Sequence, residues 1–346
     1  MYRSICWKLS GAACFLVLAL NCSATYAQPE TKDPVWVYAF DLSCRKFGEA
    51  DFTKDTKKFG FEVFKDMNNG YGVYVNQTGD IGTAPSLGVT PPITDAKAPK
   101  WTVGLDLKAR KAGEIEFTEK TKTYGLEVFY DNVSKHWVYV TQEGRFAVAS
   151  GRAPKDGMNK APVWLHSVDL KVRKGGNESW AKDNTIDYGI EVYYDPNGGN
   201  LVYVCENSAI SVVPVSGTPK SSEKSPSWLH GQDLKCRKAN EPEFTPKTQV
   251  IGVEIFRDNN NDNLIVLSEN GSITVVPEAG KGFEAPTKEP KDASFNHGLN
   301  LQCRQAGELN FTDKTRTFGI EVFDEVNLGL RLYVSQDGNI TAAPKS

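Results

Sequence analysis

The stretch GVEIFRDNNNDNLIVLSENGSITVVP, residues 252–277, is the unit from which the fold of this chain can be inferred. Two runs of β-forming residues flank a turn rich in Asn and Asp, and Asn270-Gly271 predicts a second tight turn before a third, shorter run. Altered copies of the stretch begin at four other glycines, namely Gly60, Gly125, Gly189 and Gly319. This self-similarity predicts a repeat protein built from hairpins.

A further strand is predicted in front of each copy, as in WLHGQDLKCRK, residues 228–238. Alternate residues of this segment are mostly apolar or aromatic, so we expect that face to be buried. The opposite face carries a small residue at one recurring position, namely Ala39, Gly104, Ser167, Gly231 or Gly298. We expect another backbone to approach there, and we expect this first strand to be the inner strand of each unit.

The repeats start at equivalent aromatic residues, Trp36, Trp101, Trp164, Trp228 and Phe295, at intervals of 63–67 residues. They are predicted to cover residues 36–85, 101–149, 164–214, 228–277 and 295–344. Five repeats of four strands predict an all-β fold, specifically a five-bladed β-propeller. An open array of small β modules is the alternative, although all-β units of ~50 residues have marginal cores and usually need neighbours or cross-links.

The composition is that of an ordinary globular protein. Of its 346 residues 40% are hydrophobic and 24% are charged, and the formal net charge is −3. Since there is no basic block, nucleic acid is not an expected partner. Residues 1–27 have the basic start, apolar run and small terminal residues of a signal peptide, and no other run is long enough to span a membrane. We therefore expect a protein that is secreted, periplasmic or part of the cell envelope.

Three cysteines share one register in the first strand, namely Cys44, Cys236 and Cys303, and Ala109 and Val172 replace them in the other copies. Exchange with Ala and Val favours buried, unreactive thiols. The alternative hypothesis is a disulfide between Cys44 and Cys303 that joins the first repeat to the last and closes a ring.

An arginine and a glutamate recur in every repeat without exception. The arginines are Arg45, Arg110, Arg173, Arg237 and Arg304, and the glutamates are Glu62, Glu127, Glu191, Glu254 and Glu321. An enzyme needs one asymmetric site with acid and base in different environments. Five equal copies instead indicate a structural ion pair made once per repeat, with a repeated ligand pocket as the alternative.

Two sets of residues have the chemistry of metal ligands. His166, His230 and His297 occupy one register and could converge on zinc or copper, although Tyr38 and Val103 at the same position indicate a packing site. The second set has the oxygen spacing of an EF-hand calcium loop and consists of Asp258, Asn260, Asp262 and Glu269. Against calcium, three other copies carry Gln in place of the last carboxylate. A hairpin turn rich in Asn and Asp is the alternative interpretation.

Aromatic residues that do not recur are the candidates for ligand binding. They are His136, Trp137, Trp180, Tyr193 and Tyr194, which lie in or near predicted turns. Exposed aromatic rings in turns can stack on sugars or on a partner protein, and packing is the competing role.

No catalytic pattern such as G-x-S-x-G, H-E-x-x-H or a phosphate-binding glycine loop is present. We therefore expect an exported, non-enzymatic β-repeat protein that binds extracellular carbohydrate or protein. The repeat number and strand count resemble those of tachylectin-like five-bladed lectins, but no lectin motif carries over. A structural component of the envelope or matrix is one alternative, and an enzyme with a single site at the mouth of the ring is another.

Overall fold

The chain is a five-bladed β-propeller, as the repeats predict. A computed structural model describes residues 31–345 apart from 86, 88, 95, 156, 158, 216, 222, 223 and 278–288. The predicted signal peptide, residues 1–27, lies outside the described residues. Within them no helix is long and apolar enough to cross a membrane.

Each blade is one antiparallel sheet of four consecutive strands. The strands are, for blade 1, β1 Val35–Cys44, β2 Lys57–Lys65, β3 Gly72–Asn76 and β4 Ile81–Ala84; for blade 2, β5 Lys100–Ala109, β6 Lys122–Asp131, β7 His136–Thr141 and β8 Phe146–Ser150; for blade 3, β9 Val163–Arg173, β10 Thr185–Asp195, β11 Asn200–Cys205 and β12 Ile210–Pro214; for blade 4, β13 Ser227–Cys236, β14 Gln249–Asp258, β15 Asn263–Ser268 and β16 Ile273–Pro277; and for blade 5, β17 Ser294–Cys303, β18 Arg316–Glu325, β19 Leu330–Ser335 and β20 Ile340–Pro344. A short 3-10 turn, Lys182–Asn184, precedes β10.

The fourth strand of each blade lies at the axis of the ring, where β4, β8, β12, β16 and β20 contact one another in turn. The first strand is therefore the outer edge, and the expectation that residues 228–238 form an inner strand is wrong. Five strands that meet at one axis leave little room, which explains why the second residue of each is small or short. These residues are Gly82, Ala147, Ser211, Thr274 and Thr341. Alternation along a strand reports which face is buried and not which edge of the sheet is inner.

The central channel is almost filled by the side chains of the fourth strands. A cavity of only about 50 Å³ remains among them. The Thr83 and Thr341 hydroxyls are 3.1 Å apart, which joins blade 1 to blade 5 at the axis. Small-molecule sites usually need about 300 Å³ or more, so this cavity is too small for one.

The recurring arginine and glutamate form an ion pair at every seam, and each pair joins one blade to the next. Arg173 Nε lies 2.5 Å from Glu254 Oε1, and Arg304 Nε lies 2.5 Å from Glu62 Oε1, which links the last blade to the first. The other three pairs are Arg45–Glu127, Arg110–Glu191 and Arg237–Glu321, each at 2.6 Å. Among the described strands, the ring is thus closed by side-chain contacts and no strand is exchanged between its ends. We call each such pair a seam clamp.

The glycine that opens each signature stretch admits the backbone of the preceding blade. A Cβ added at Gly252 would collide with the carbonyl oxygen of Arg173, and Gly125 stands in the same way against Arg45. At Gly231 the nearest atoms belong instead to the Arg173 guanidinium and the Glu254 carboxylate. The expectation that a backbone approaches the small residues of the first strand is therefore wrong there, because the seam clamp fills that space.

The cysteines of the first strands are buried free thiols. Cys303 Sγ faces the Val75 carbonyl of blade 1 at 3.5 Å, whereas Cys44 Sγ faces the Val140 carbonyl of blade 2 at 3.2 Å. The two thiols therefore lie in different seams, and the hypothesis of a disulfide between them is wrong. Burial also raises the pKa of the Cys205 thiol to about 12, which keeps it protonated and unreactive.

We predict that Arg304→Ala destabilises the ring by about 3–5 kcal/mol, because it leaves Glu62 buried without its cationic partner. Chemical unfolding measured by tryptophan fluorescence gives the free energy of unfolding. The control is Lys57→Ala at the exposed Lys57–Glu143 pair, which should cost at most about 1 kcal/mol. Equal losses for the two variants would contradict closure by the seam clamp.

Candidate functional site

The outer rim combines the seam clamps with aromatic side chains. Arg173 lies over the Trp180 ring, with its guanidinium carbon 4.9 Å from the ring centroid. Trp228 Nε1 donates a hydrogen bond to Glu254 Oε2 at 2.7 Å. The Trp180 and Trp228 rings meet edge to face with centroids 5.9 Å apart. One arginine, one glutamate and two aromatic rings therefore hold one another at this seam.

The same arrangement recurs at the other seams with small changes. Trp36, Trp101 and Trp164 donate to Glu62, Glu127 and Glu191 in the way that Trp228 donates to Glu254. In blade 5 Phe295 stands at this position and has no N–H to donate. Trp180 likewise belongs to a recurring position, whose other residues are Phe52, Phe117, Phe244 and Phe311.

These rim aromatics remain substantially open to solvent although they are fixed in place. The exposed fraction is 43% for Trp101, 40% for Trp164, 46% for Trp228 and 39% for Trp180. In the sequence the first three mark the starts of repeats, and their pattern alone does not identify them as ligand candidates. The sequence feature that could identify them is a bulky aromatic residue near the start of each first strand. This feature indicates an exposed ring only when the first strand is known to be the outer edge of the blade.

Two grooves lie on the outer rim, one over the outer strand of blade 3 and one over that of blade 4. Two of these tryptophans line the first groove, whereas the aromatic residues that line the second are phenylalanines. The blade-3 groove has a volume of about 620 Å³, and Ile115, Trp164, Lys171 and Trp228 lie along it. The blade-4 groove has a volume of about 580 Å³. Each lies between the connection of the preceding blade and the linker into the following blade. Both volumes fall within the range of small-molecule sites.

Most of the ligand residues predicted from the sequence are packed in the interior. His136 and Trp137 are 6% and 1% exposed, and Trp137 Nε1 donates to the Arg152 carbonyl at 3.0 Å. Tyr193 is 6% exposed and donates to the Lys108 carbonyl at 2.7 Å, while Tyr194 packs partly buried against the core of blades 3 and 4. The structure does not bring these residues together, and Trp180 alone among the five is a large exposed aromatic.

The three histidines of one register lie in three different seams. His297 Nε2 is 2.8 Å from Asp66 Oδ2, His230 Nε2 is 3.4 Å from Glu325 Oε1 and His166 Nε2 is 3.7 Å from Asp258 Oδ2. Each imidazole therefore pairs with a buried carboxylate of the next blade, and the three do not converge. In the part of the chain that the structure describes, no group of three or more His, Cys, Asp or Glu is placed to hold a metal ion.

The partner carboxylates occupy the first position of the second hairpin turn in every blade. They are Asp66, Asp131, Asp195, Asp258 and Glu325, all buried. A tyrosine of the preceding blade can replace the histidine, since Tyr139 donates to Asp195 at 2.8 Å where Val103 stands in the histidine register. Conversely, Val266 stands at the tyrosine register of blade 4, and there His230 faces the longer Glu325. Each buried carboxylate thus has a Tyr or His partner across its seam.

The predicted calcium loop does not bring its four residues together, because Asp258, Asn260 and Asp262 lie in one turn and Glu269 lies apart from them. Asp258 and Glu269 lie at opposite ends of β15. The Glu269 carboxylate accepts the Gly175 N–H of blade 3, and Gln77 Oε1 accepts the Ala306 N–H in the same way at the seam between blades 5 and 1. This shared role explains why Gln and Glu exchange at that position. Asp258 accepts the Asn260 N–H in its own turn, which is a turn-stabilising contact.

The Asp258 carboxylate is held ionised inside the seam between blades 3 and 4. Burial alone would raise its pKa, but the His166 imidazole 3.7 Å away, the hydrogen bond from Tyr203 and the Asn260 N–H together outweigh burial and lower the pKa to about 2. The Tyr203 hydroxyl lies 2.6 Å from Asp258 Oδ2. The seam therefore gains stability from this carboxylate while it is charged.

Comparison with known proteins gives no family for the chain. No family model matches it, and no curated protein matches it. Among solved structures, virginiamycin B lyase from Staphylococcus aureus is 13% identical, with 89% of this chain and 74% of that chain covered and a TM-score of 0.12. A streptogramin B lyase is 11% identical, with 90% and 74% covered and a TM-score of 0.12. At these scores the likeness carries no argument about activity.

We predict that Asp258→Asn lowers the free energy of unfolding by about 2–3 kcal/mol at neutral pH. Because the folded-state pKa of about 2 lies below the ordinary value near 3.9, the stabilisation is complete above about pH 5 and is lost as the pH falls toward 2. About half of the difference between wild type and variant should disappear by about pH 3. Urea unfolding at several pH values measures this, with the exposed Asp187→Asn as control. A pH-independent difference would contradict the assignment.

Proposed function

We propose that the chain is an exported, non-enzymatic binding protein that recognises extracellular carbohydrate through the grooves on its outer rim. The main support for the proposal is the set of half-exposed tryptophans, each held in place beside a seam clamp. Sugar-binding surfaces use aromatic rings to cover the apolar C–H face of a pyranose, and an exposed rigid ring supplies this contact.

Rigidity of the rim supports binding by these rings. Trp164 Nε1 donates to Glu191 at 2.7 Å, and its ring meets Phe117 edge to face with centroids 6.0 Å apart. The guanidinium of Arg110 lies 4.7 Å from the Phe117 centroid. A ring that is already fixed loses little side-chain freedom when a ligand binds, so a larger part of the contact energy appears as affinity.

Repetition of the rim supports multivalent recognition. The same clamp and aromatic position occur around the ring, and grooves of similar volume lie over blades 3 and 4. Sites linked on one rigid body bind a repeating polymer more tightly than any single site does, because the second contact is intramolecular. Extracellular polysaccharides are repeating polymers of this kind.

The axis of the ring offers much less support for a site. Its cavity is about 50 Å³, and Arg145 of blade 2 reaches across one end of the channel to Asn339 of blade 5 at 2.5 Å and to Asp80 of blade 1 at 3.6 Å. The recurring charged groups of the chain are engaged in bonds between blades. These contacts favour binding at the rim over catalysis at the mouth.

We predict that a glycan array gives a defined hit on a glycan without amino groups and that Trp164→Ala weakens binding of that glycan about tenfold, whereas Trp164→Phe retains most of it. An aromatic contact of this kind contributes roughly 0.5–1.5 kcal/mol beyond area burial, and Phe295 shows that the rim accepts Phe at this position. Isothermal titration measures the affinities. Wild-type affinity in Trp164→Ala, or the absence of any glycan hit, would contradict the proposal.

A further inference from the structure

One residue of the blade-4 groove breaks the pattern of the repeats. Gln232 lies in β13, at a position that is apolar in every other blade. The equivalent residues are Phe40, Leu105, Val168 and Leu299. Gln232 is only 7% exposed, and it lines the blade-4 groove.

The side-chain amide of Gln232 is only half satisfied. Its Oε1 accepts the backbone N–H of Ala293 at 3.2 Å, which fixes the orientation of the amide. Its Nε2 is buried and has no hydrogen-bond partner among the described residues. A buried donor without a partner is unfavourable, and four sister blades avoid it with apolar residues. Departures of this kind from local packing rules are expected at functional sites.

The charges along this groove are mainly negative. Asp233, Asp292 and Glu178 line it together with Lys235. The pKa of Asp233 is raised, mainly by burial; the Gly176 N–H opposes this rise, and the Asp292 and Glu178 carboxylates add to it. The opposite charges of Arg173 and Glu254 in the seam clamp cancel each other. A ligand that brings a positive charge into the groove would relieve this repulsion.

The wall toward blade 5 is aromatic. The Phe244 and Phe295 rings meet edge to face with centroids 5.0 Å apart, and Phe295 meets Phe323 at 5.8 Å. The groove therefore offers an apolar wall, a donor in need of an acceptor and an excess of carboxylates. A sugar ring with an amino group has the three matching features: a C–H face, oxygen acceptors and a cation.

We propose that the blade-4 groove binds a pyranose that carries an ammonium group, with Gln232 Nε2 donating to a sugar oxygen and the groove carboxylates facing the cation. This inference rests on the proposed function. It adds the chemical class of the ligand and the residue that selects that class. The blade-3 groove lacks both the unpaired amide and the excess of carboxylates, because it has Val168 in place of the glutamine and is lined by Lys171 and Lys224.

The test is isothermal titration with a β-1,4-linked glucosamine tetramer and the matching glucose tetramer. It is run at about pH 6, below the usual pKa range of amino groups. We expect the glucosamine tetramer to bind wild type at least tenfold more tightly than the glucose tetramer. Gln232→Leu should weaken binding of the glucosamine tetramer about tenfold. Its unfolding transition should lie at or above that of wild type, because Leu already fills this position in blades 2 and 5.

Two further variants locate the effect. Asp292→Asn should reduce the preference for glucosamine over glucose, and Trp164→Ala in the blade-3 groove should leave binding of the glucosamine tetramer unchanged. Wild-type affinity in Gln232→Leu, or equal affinity for the two tetramers, would overturn the inference. If other glycans still bind through Trp164, the proposed function stands without this inference; if no glycan binds at any rim groove, both fail.

Discussion

The ion pair between an arginine of one blade and a glutamate of the next is the contact on which the structure depends. It sits where the arginine backbone lies against the signature glycine, as at Arg173 and Gly252, so backbone packing and charge pairing coincide. It also fixes the rim tryptophan, because the same glutamate accepts the indole N–H. Since the pair recurs between the last and first blades, the ring closes without a shared strand. One contact made five times therefore sets the fold, the ring closure and the geometry of the rim.

Much of this fold could be predicted from the sequence, because repetition multiplies weak signals. Five copies of one hairpin pattern predict the strands, their number and the propeller, and the invariant Arg and Glu predict an ion pair. Which edge of a blade lies at the axis could not be predicted, since alternation identifies a buried face and says nothing about distance from the axis. For this reason the rim tryptophans could not be identified from the sequence, since they are half exposed only because the first strand is outermost. The predicted ligand residue Tyr193 is buried against Lys108, which is distant in sequence, whereas Trp137 is covered by the segment that follows its own blade, at Arg152.

The metal hypotheses illustrate how repetition separates scaffold from site. The histidine register and the Glu269 position both face a group across a seam, and other copies fill the same roles with Tyr or Gln. A position at which different side chains can make the same contact between blades has a structural role. Gln232 is the opposite case, because its sister blades use apolar residues and its amide is left without a partner among the described residues. A residue that costs stability in one blade alone is a better pointer to function than a residue repeated in all five.

We propose that ligand binds at the outer rim and not at the axis of the ring. The most direct measurement is a crystal structure of the full chain soaked with the β-1,4-linked glucosamine tetramer at saturating concentration. We expect sugar density in the blade-4 groove, against Phe295 and within hydrogen-bonding reach of Gln232. Density at the channel mouth beside Arg145, with the rim grooves empty, would contradict it.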